Sequence, residues 1–185
     1  GSQGGPFIPA FTGAIENIPE LKNEELSTTL GKLYLKIDNW SVYKAIEEKL
    51  PLGRPLKNIR VSAAFGNRFD PFNGEMSIHE GIDLSENEGE EVKVTAPGEV
   101  TFVGWAGLYG LMVEVDHGYN LKTRYAHLSK IIVKKGDIIK TGDKIGEVGN
   151  TGRSTGSHLH YEVRIKNTPV NPYNFIKVQK NVFKI

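Results

Sequence analysis

The chain has 185 residues, 38% of them apolar, enough to bury one ordinary domain with a smaller appendage and too few for two full enzyme domains. Its net charge of +1 supplies no dense basic field of the kind that binds nucleic acid, and the basic pair Lys134-Lys135 reads as a solvated turn. The absence of cysteine excludes disulfides, thiolate metal ligands and a cysteine nucleophile together, so a metal here would be held by histidine and carboxylate.

Gly1-Ser2 reads as a cloning scar, and a targeting or anchoring segment is expected upstream; it is the one route to a membrane, since no run here is apolar enough to span a bilayer. Residues 1 to 13, rich in glycine and proline, read as an irregular arm. Leu26, Leu30, Leu33, Ile37 and Trp40 then recur at steps of four and three, which places them on one stripe of a helix with Asp38-Asn39 as a candidate break. The spacing predicts helical structure over 14–50. Because it lasts only about two heptads, the stripe is expected to pack on the domain that follows rather than extend as a coiled coil. Pro51, Gly53 and Pro55 stop the helix and mark a linker.

Beyond Lys57 the pattern changes to short runs rich in Val, Ile, Phe and Tyr: Arg60 to Phe65, Glu91 to Thr95, Glu99 to Trp105, Leu111 to Asp116, Leu121 to Leu128, Lys144 to Val148 and His158 to Ile165. Runs of this length separated by Gly, Asn and Pro predict a mainly β, antiparallel domain, and 21 glycines fit its many turns. The expected division is an arm, helical segment and linker over 1–57, the β domain over 58–178 and a tail over 179–185.

Four of the five histidines fall in settings that suggest one shared site. In His158-Leu159-His160-Tyr161-Glu162-Val163-Arg164, strand alternation puts His158, His160, Glu162 and Arg164 on one face and the apolar residues on the other. His79 and Asp83 offer a nitrogen and an oxygen a short reach apart, with Gly81 allowing a bend between them. Together with one of the strand histidines they make the three-ligand set of a catalytic zinc site, which leaves a position for water. Alternation in Leu121 to Leu128 groups Thr123, Tyr125 and His127 on one face, bringing a fourth imidazole if the two strands are neighbours. Asp116-His117-Gly118-Tyr119-Asn120 reads as a hairpin turn and His117 as structural.

The strings His79-Glu80-Gly81-Ile82-Asp83, Tyr125-Ala126-His127-Leu128 and Gly149-Asn150-Thr151-Gly152-Arg153-Ser154-Thr155-Gly156-Ser157-His158-Leu159-His160-Tyr161-Glu162 closely resemble the M23 family of zinc metallopeptidases, of the lysostaphin and LytM type. The resemblance runs from about Val61 to Tyr173 and takes in Phe65-Gly66-Asn67-Arg68-Phe69-Asp70-Pro71, Ala96-Pro97-Gly98-Glu99-Val100, and Lys135-Gly136-Asp137 with Thr141-Gly142-Asp143. It implies the LytM-type duplicated hybrid motif, zinc bound by His79, Asp83 and His160, and catalytic roles for His127 and His158. Asn67 departs from a tyrosine common in the family, which leaves substrate contacts there open, and Ser157 replaces a common proline.

The resemblance further implies hydrolysis of peptide bonds in bacterial peptidoglycan, hence an enzyme of the periplasm or cell envelope whose partners are stem peptides or cross-bridges. There is no His-Glu-x-x-His string, so a histidine takes the place of the usual glutamate base. Lysostaphin-type relatives cut glycine bridges and others cut stem-peptide cross-links. The helical segment ahead of the domain, and the lack of a wall-targeting module after Tyr173, tilt the expectation to stem peptides. Two rival readings are a non-catalytic LytM-type regulator of cell-wall amidases and a carrier module of the biotinyl or lipoyl kind. The first conflicts with a full set of site residues, the second with the lack of a methionine beside any lysine. Glu162, on the strand face of His160, could orient a ligand from behind, but reads rather as a rim residue or an unrelated ion pair.

Overall fold

The computed structural model describes residues 24–70 and 74–177, without the side chains of 24–30 and 34–38. The chain divides into two compact units between Ala45 and Ile46. The first contains all but the last two residues of the helix α1 (Glu24–Glu47), which runs without interruption through Asp38-Asn39. Neither residue breaks it because each costs only a few tenths of a kcal/mol of helix propensity and no proline or glycine accompanies them. The part of the expected helical stretch before Glu24 lies outside the described residues, as does the tail. No described helix is long and apolar enough to cross a membrane.

The second unit is built from antiparallel strands, as the spacing of the apolar runs predicts. Its main sheet contains β1 (Val61–Ala63), β4 (Ile82–Ser85), β12 (His158–Ile165), β8 (Leu121–Leu128), β7 (Leu111–Gly118), β6 (Gly98–Trp105) and β10 (Ile138–Ile139) in that spatial order, with β13 (Thr168–Val170) paired to β12. A three-stranded sheet joins β5 (Glu91–Lys93), β11 (Lys144–Glu147) and β9 (Lys130–Ile131), and β2 (Gly66–Phe69) pairs with β3 (Met76–His79) in a separate ribbon. The long runs lie where expected. The strands β2, β3 and β4 were not anticipated: each has four residues, too few for alternation to register, and they form by pairing with each other and with β12. A short helix α2 (Tyr173–Ile176) follows β13.

The core forms where the apolar face of the main sheet meets the small sheet. Leu84, Val113, Tyr125, Leu159, Tyr161 and Val163 meet Val92 and Ile145 there, all fully buried. Each large side chain so removed from water contributes about 1.5–3 kcal/mol. The Pro51–Lys57 stretch, read as a linker, is bound to this unit: Gly53 donates to Thr95 O at 2.9 Å, Lys93 donates to Pro55 O at 2.9 Å, and Leu56 joins the core. Asp137 and Asp143 each accept the backbone N–H of the residue three before, Lys134 at 2.8 Å and Lys140 at 2.7 Å, which closes two matching turns.

A polar chain crosses this core and satisfies its own members. The Tyr125 hydroxyl accepts the Thr95 N–H at 3.0 Å, and Thr95 Oγ1 lies 2.9 Å from the hydroxyls of both Tyr125 and Tyr161. His117 continues the chain, with Nε2 2.8 Å from Thr123 Oγ1 and Nδ1 donating to Pro97 O at 2.9 Å. It is 1% exposed, and burial lowers its pKa, so its role is structural, as its sequence setting suggested. The β7–β8 hairpin turns at Tyr119 and Asn120, both with positive φ, as a two-residue turn matched to strand twist requires.

Tyr125→Phe removes the acceptor of the buried Thr95 N–H. The unsatisfied donor is expected to cost about 1–3 kcal/mol of stability in urea denaturation. An unchanged midpoint would contradict this account of the core.

Candidate metal centre

Strand β12 turns one face to the core and the other to a cleft of about 590 Å³. Leu159, Tyr161 and Val163 face inward, which leaves His158, His160 and Glu162 to line the cleft. Register fixes what meets them: β4 sets Asp83 directly opposite His160, and β8 sets Ala126 opposite it on the other side. His79 ends β3, one tight turn before β4. Within that turn, a Cβ at Gly81 would lie 2.8 Å from His160 Cε1 and 2.5 Å from Tyr161 O. Glycine is therefore demanded by the close approach of β12, and not, as the sequence suggested, by a bend.

Three donor atoms converge here. His79 Nε2 lies 3.0 Å from Asp83 Oδ1 and 3.1 Å from His160 Nδ1, and His160 Nδ1 lies 2.8 Å from Asp83 Oδ1. A tetrahedral ion with arms of about 2.0–2.1 Å spaces its ligand atoms about 3.3 Å apart. The triangle needs to open by only a few tenths of an ångström, and two imidazoles with one carboxylate form a donor set suited to a divalent transition metal. The residues present fit a metal.

Each donor is held from behind. His79 Nδ1 donates to Ala64 O at 2.8 Å, which leaves the Nε2 lone pair for the centre. Asp83 Oδ2 accepts from Arg68 NH1 at 3.3 Å. Burial works against ionising Asp83, but the imidazoles of His160 and His79 beside it outweigh burial and hold the carboxyl well below the usual range. His160 Nε2 lies 3.2 Å from Glu162 Oε1. Burial opposes its protonation too, but the two carboxylates flanking it raise its pKa.

His127 and His158 face the same cleft, their ring centroids 4.8 Å apart, and His127 stands 5.7 Å from the His160 ring. Both have Nδ1 tied to a backbone carbonyl, His127 to Thr151 O at 2.7 Å and His158 to Gly156 O at 2.7 Å. A carbonyl only accepts, so in each ring Nδ1 carries the hydrogen and Nε2 is left unprotonated in the neutral form. Burial lowers the His127 pKa to about 4, which keeps the ring neutral at physiological pH.

His127 does not share a face with Thr123 and Tyr125, contrary to the alternation read from the sequence. Tyr125 pairs with Tyr161 in the core, whereas His127 lines the cleft. Between Leu111 and Val113 on β7 the register of β8 slips by one, and His127 there takes φ 61°, a left-handed conformation uncommon for histidine. This bulge turns the imidazole to the other face. Thr151 holds it there: its carbonyl accepts from His127, its hydroxyl donates to Leu128 O at 2.8 Å and accepts from Leu111 N at 3.0 Å.

Sequence reasoning missed the polar surroundings. Glu162, read as a rim residue, is fully buried. It accepts from the Tyr109 hydroxyl at 2.7 Å and from Arg164 NH1 at 2.6 Å, with Arg124 NH1 3.6 Å away. Its place on the His160 face was legible; Arg68, from β2, stood in a family-like string with no role attached, and Tyr109, from the turn between β6 and β7, carried no signal. Ser157 has a partner after all, donating to Glu86 O at 3.0 Å. Asn67 is exposed on β2, paired with Ile78, which lines the cleft.

Residues 77–172 match Peptidase family M23. Over 130 residues the chain is 43% identical to the DD-carboxypeptidase/endopeptidase Mpg of Neisseria meningitidis, a match that covers 70% of this chain and 30% of that protein, so the chain spans under a third of that relative's length. A zinc-containing peptidase from Vibrio cholerae superposes with a TM-score of 0.61 at 37% identity, over 68% of this chain and 39% of that one. The catalytic domain of the antimicrobial peptidase lysostaphin from Staphylococcus simulans superposes with a TM-score of 0.62 at 30% identity, over 68% of this chain and 99% of that domain.

The bulge depends on room for the chain behind it. A Cβ at Gly149 would stand 2.3 Å from Ser129 N and 2.8 Å from His127 O. Gly149→Ala is therefore expected to destabilise the fold by about 1–3 kcal/mol or more, as overpacking does, read as a lowered thermal midpoint. A midpoint equal to the parent's would mean that His127 is not clamped in this way.

Proposed function

The chain belongs to peptidase family M23, and from that membership we propose that it hydrolyses peptide bonds in bacterial cell-wall peptidoglycan with a zinc ion held by His79, Asp83 and His160. The observation that carries this reading is the meeting of His79 Nε2, Asp83 Oδ1 and His160 Nδ1 within 3.1 Å of one another. Zinc is favoured over other divalent ions by the histidine-rich donor set and by the likeness to a zinc-containing peptidase. When bound, the metal polarises the scissile carbonyl and lowers the pKa of water in the site toward about 7.

The chain's own residues move the protons. His127 and His158 both present Nε2 to the cleft with Nδ1 occupied by a carbonyl, so each enters the reaction able to accept. One takes the proton that the attacking water gives up as its oxygen bonds to the carbonyl carbon. As the C–N bond breaks, the proton passes from imidazole Nε2 to the leaving amine. Arg68 keeps the Asp83 carboxylate aligned throughout, and we assign the catalytic unit to residues 58–178, with the Pro51–Lys57 stretch bound to it.

For the bond cut, we propose stem-peptide cross-links rather than glycine bridges. The support is the DD-specific name of a relative at 43% identity, against 30% for lysostaphin. Peptidoglycan lies outside the cytoplasmic membrane, so the site of action is the periplasm or cell envelope.

Two experiments test these readings. Asp83→Ala is expected to lose the bound zinc and all hydrolysis, while His127→Ala and His158→Ala keep the zinc and lose at least about 100-fold in turnover. Elemental analysis of the purified variants reads the first part, and full zinc content in Asp83→Ala would refute the ligand set. Mass analysis of products from diaminopimelate-type sacculi and from pentaglycine reads the second. Uncrosslinked muropeptides are expected, and cleavage of pentaglycine alone would overturn the substrate choice.

A further inference from the structure

The four histidines of the cleft are fixed in two different ways. His79, His127 and His158 each set Nδ1 against a backbone carbonyl, of Ala64, Thr151 and Gly156 respectively, with the Ser154 hydroxyl also 3.2 Å from His158 Nδ1. His160 has its distal nitrogen against a side chain, Glu162. That carboxylate is fully buried, and burial of a charge costs several kcal/mol unless partners offset it. It has such partners: Tyr109 and His160 at Oε1, Arg164 and Arg124 at Oε2. Tyr109, Arg164 and Arg124 can only donate to it, so Glu162 is surrounded as an acceptor.

We propose that Glu162 is a positioning residue for the metal centre: by accepting the Nε2–H of His160 it fixes the one tautomer that presents Nδ1 to the metal. The inference rests on the metal-site reading of His79, Asp83 and His160. An ionised acceptor at Nε2 also raises the electron density of the ring and so the basicity of Nδ1. Arg164 and Arg124 keep Glu162 charged without competing for Oε1, and Tyr109 fills the remaining acceptor direction of that oxygen.

The environment makes the isosteric amide informative. Every neighbour of Glu162 is a donor, so Glu162→Gln must turn its own NH2 toward one pair of them. Facing Arg164 and Arg124, it would oppose two fixed cations. Facing His160, it meets a ring that can respond by moving its proton to Nδ1. The variant therefore drives His160 into the tautomer whose hydrogen occupies the metal-binding atom. Its zinc affinity is expected to fall 10–100-fold, the usual effect of losing such a partner.

The test is zinc affinity by chelator competition on parent and Glu162→Gln, with near-UV circular dichroism to report folding, and nitrogen-15 NMR of the zinc-loaded parent. A 10–100-fold loss in a folded variant, and a slowly exchanging proton on Nε2 of His160 in the parent, are expected. Equal affinities overturn the proposal. If the variant does not fold, the parent spectrum decides alone, and a His160 ring bound through Nε2 overturns it. A parent that binds no zinc sinks the metal-site reading itself, which separates the two failures.

Discussion

The pairing of His160 with Asp83 across β12 and β4 is the contact on which the rest of the site depends. Because side chains alternate with a period of two, a slip of one residue between these strands would exchange His160 for Leu159 or Tyr161 in the cleft and put an imidazole in the core. The register is held by the opposite face, where Leu84, Leu159, Tyr125 and Tyr161 are fully buried. Core packing thus positions the polar face by proxy. The same constraint requires glycine at position 81, where β12 lies too close for a side chain.

What the sequence revealed follows from the length over which each pattern runs. β12 has eight residues of strict alternation, enough to read both its core face and its polar face. In β8 the same reading succeeded as far as Tyr125 and failed at His127, because the bulge that redirects the imidazole arises from contacts with Thr151 and Gly149, more than twenty residues away. The strands of the His79 ribbon are too short to carry a period. Nothing in the local sequence marks Gly81 as a contact rather than a hinge. The LytM-type strings named the positions in the cleft, but they carry no physical account of how His127 gets there.

Charge balance explains why so many ionised groups sit at low exposure around one cleft. Asp83 and Glu162 flank His160, and each is met by arginine on the side away from it: Arg68 for Asp83, Arg164 and Arg124 for Glu162. Arg124 also meets Glu114, and Arg164 also meets Glu80, so the alternation of charge continues outward along the open face of the sheet. Groups buried in this way are stabilised as a set, and removal of one leaves its partners with an uncompensated charge. Sequence patterning could place Glu162 and Arg164 on one face, but only the packing of three strands and the Tyr109 turn decides that Glu162 is sealed rather than at the rim.

The division between backbone and side-chain partners bears on how such a centre tolerates change. Orientation by a carbonyl is insensitive to the identity of the residue that supplies it, provided the loop keeps its course, so the tautomers of His79, His127 and His158 are tied to the fold itself. Orientation by Glu162 and Arg68 depends on single side chains. On the proposed metal reading, substitution at these two positions would alter the metal's hold without moving the strands that carry its ligands. Cleft walls such as Ile78 and Leu108, both about two-thirds exposed, lie outside either mechanism. A floor set by strand register and a wall on a short ribbon and a turn would, on the proposed function, let the reaction and the choice of substrate change separately.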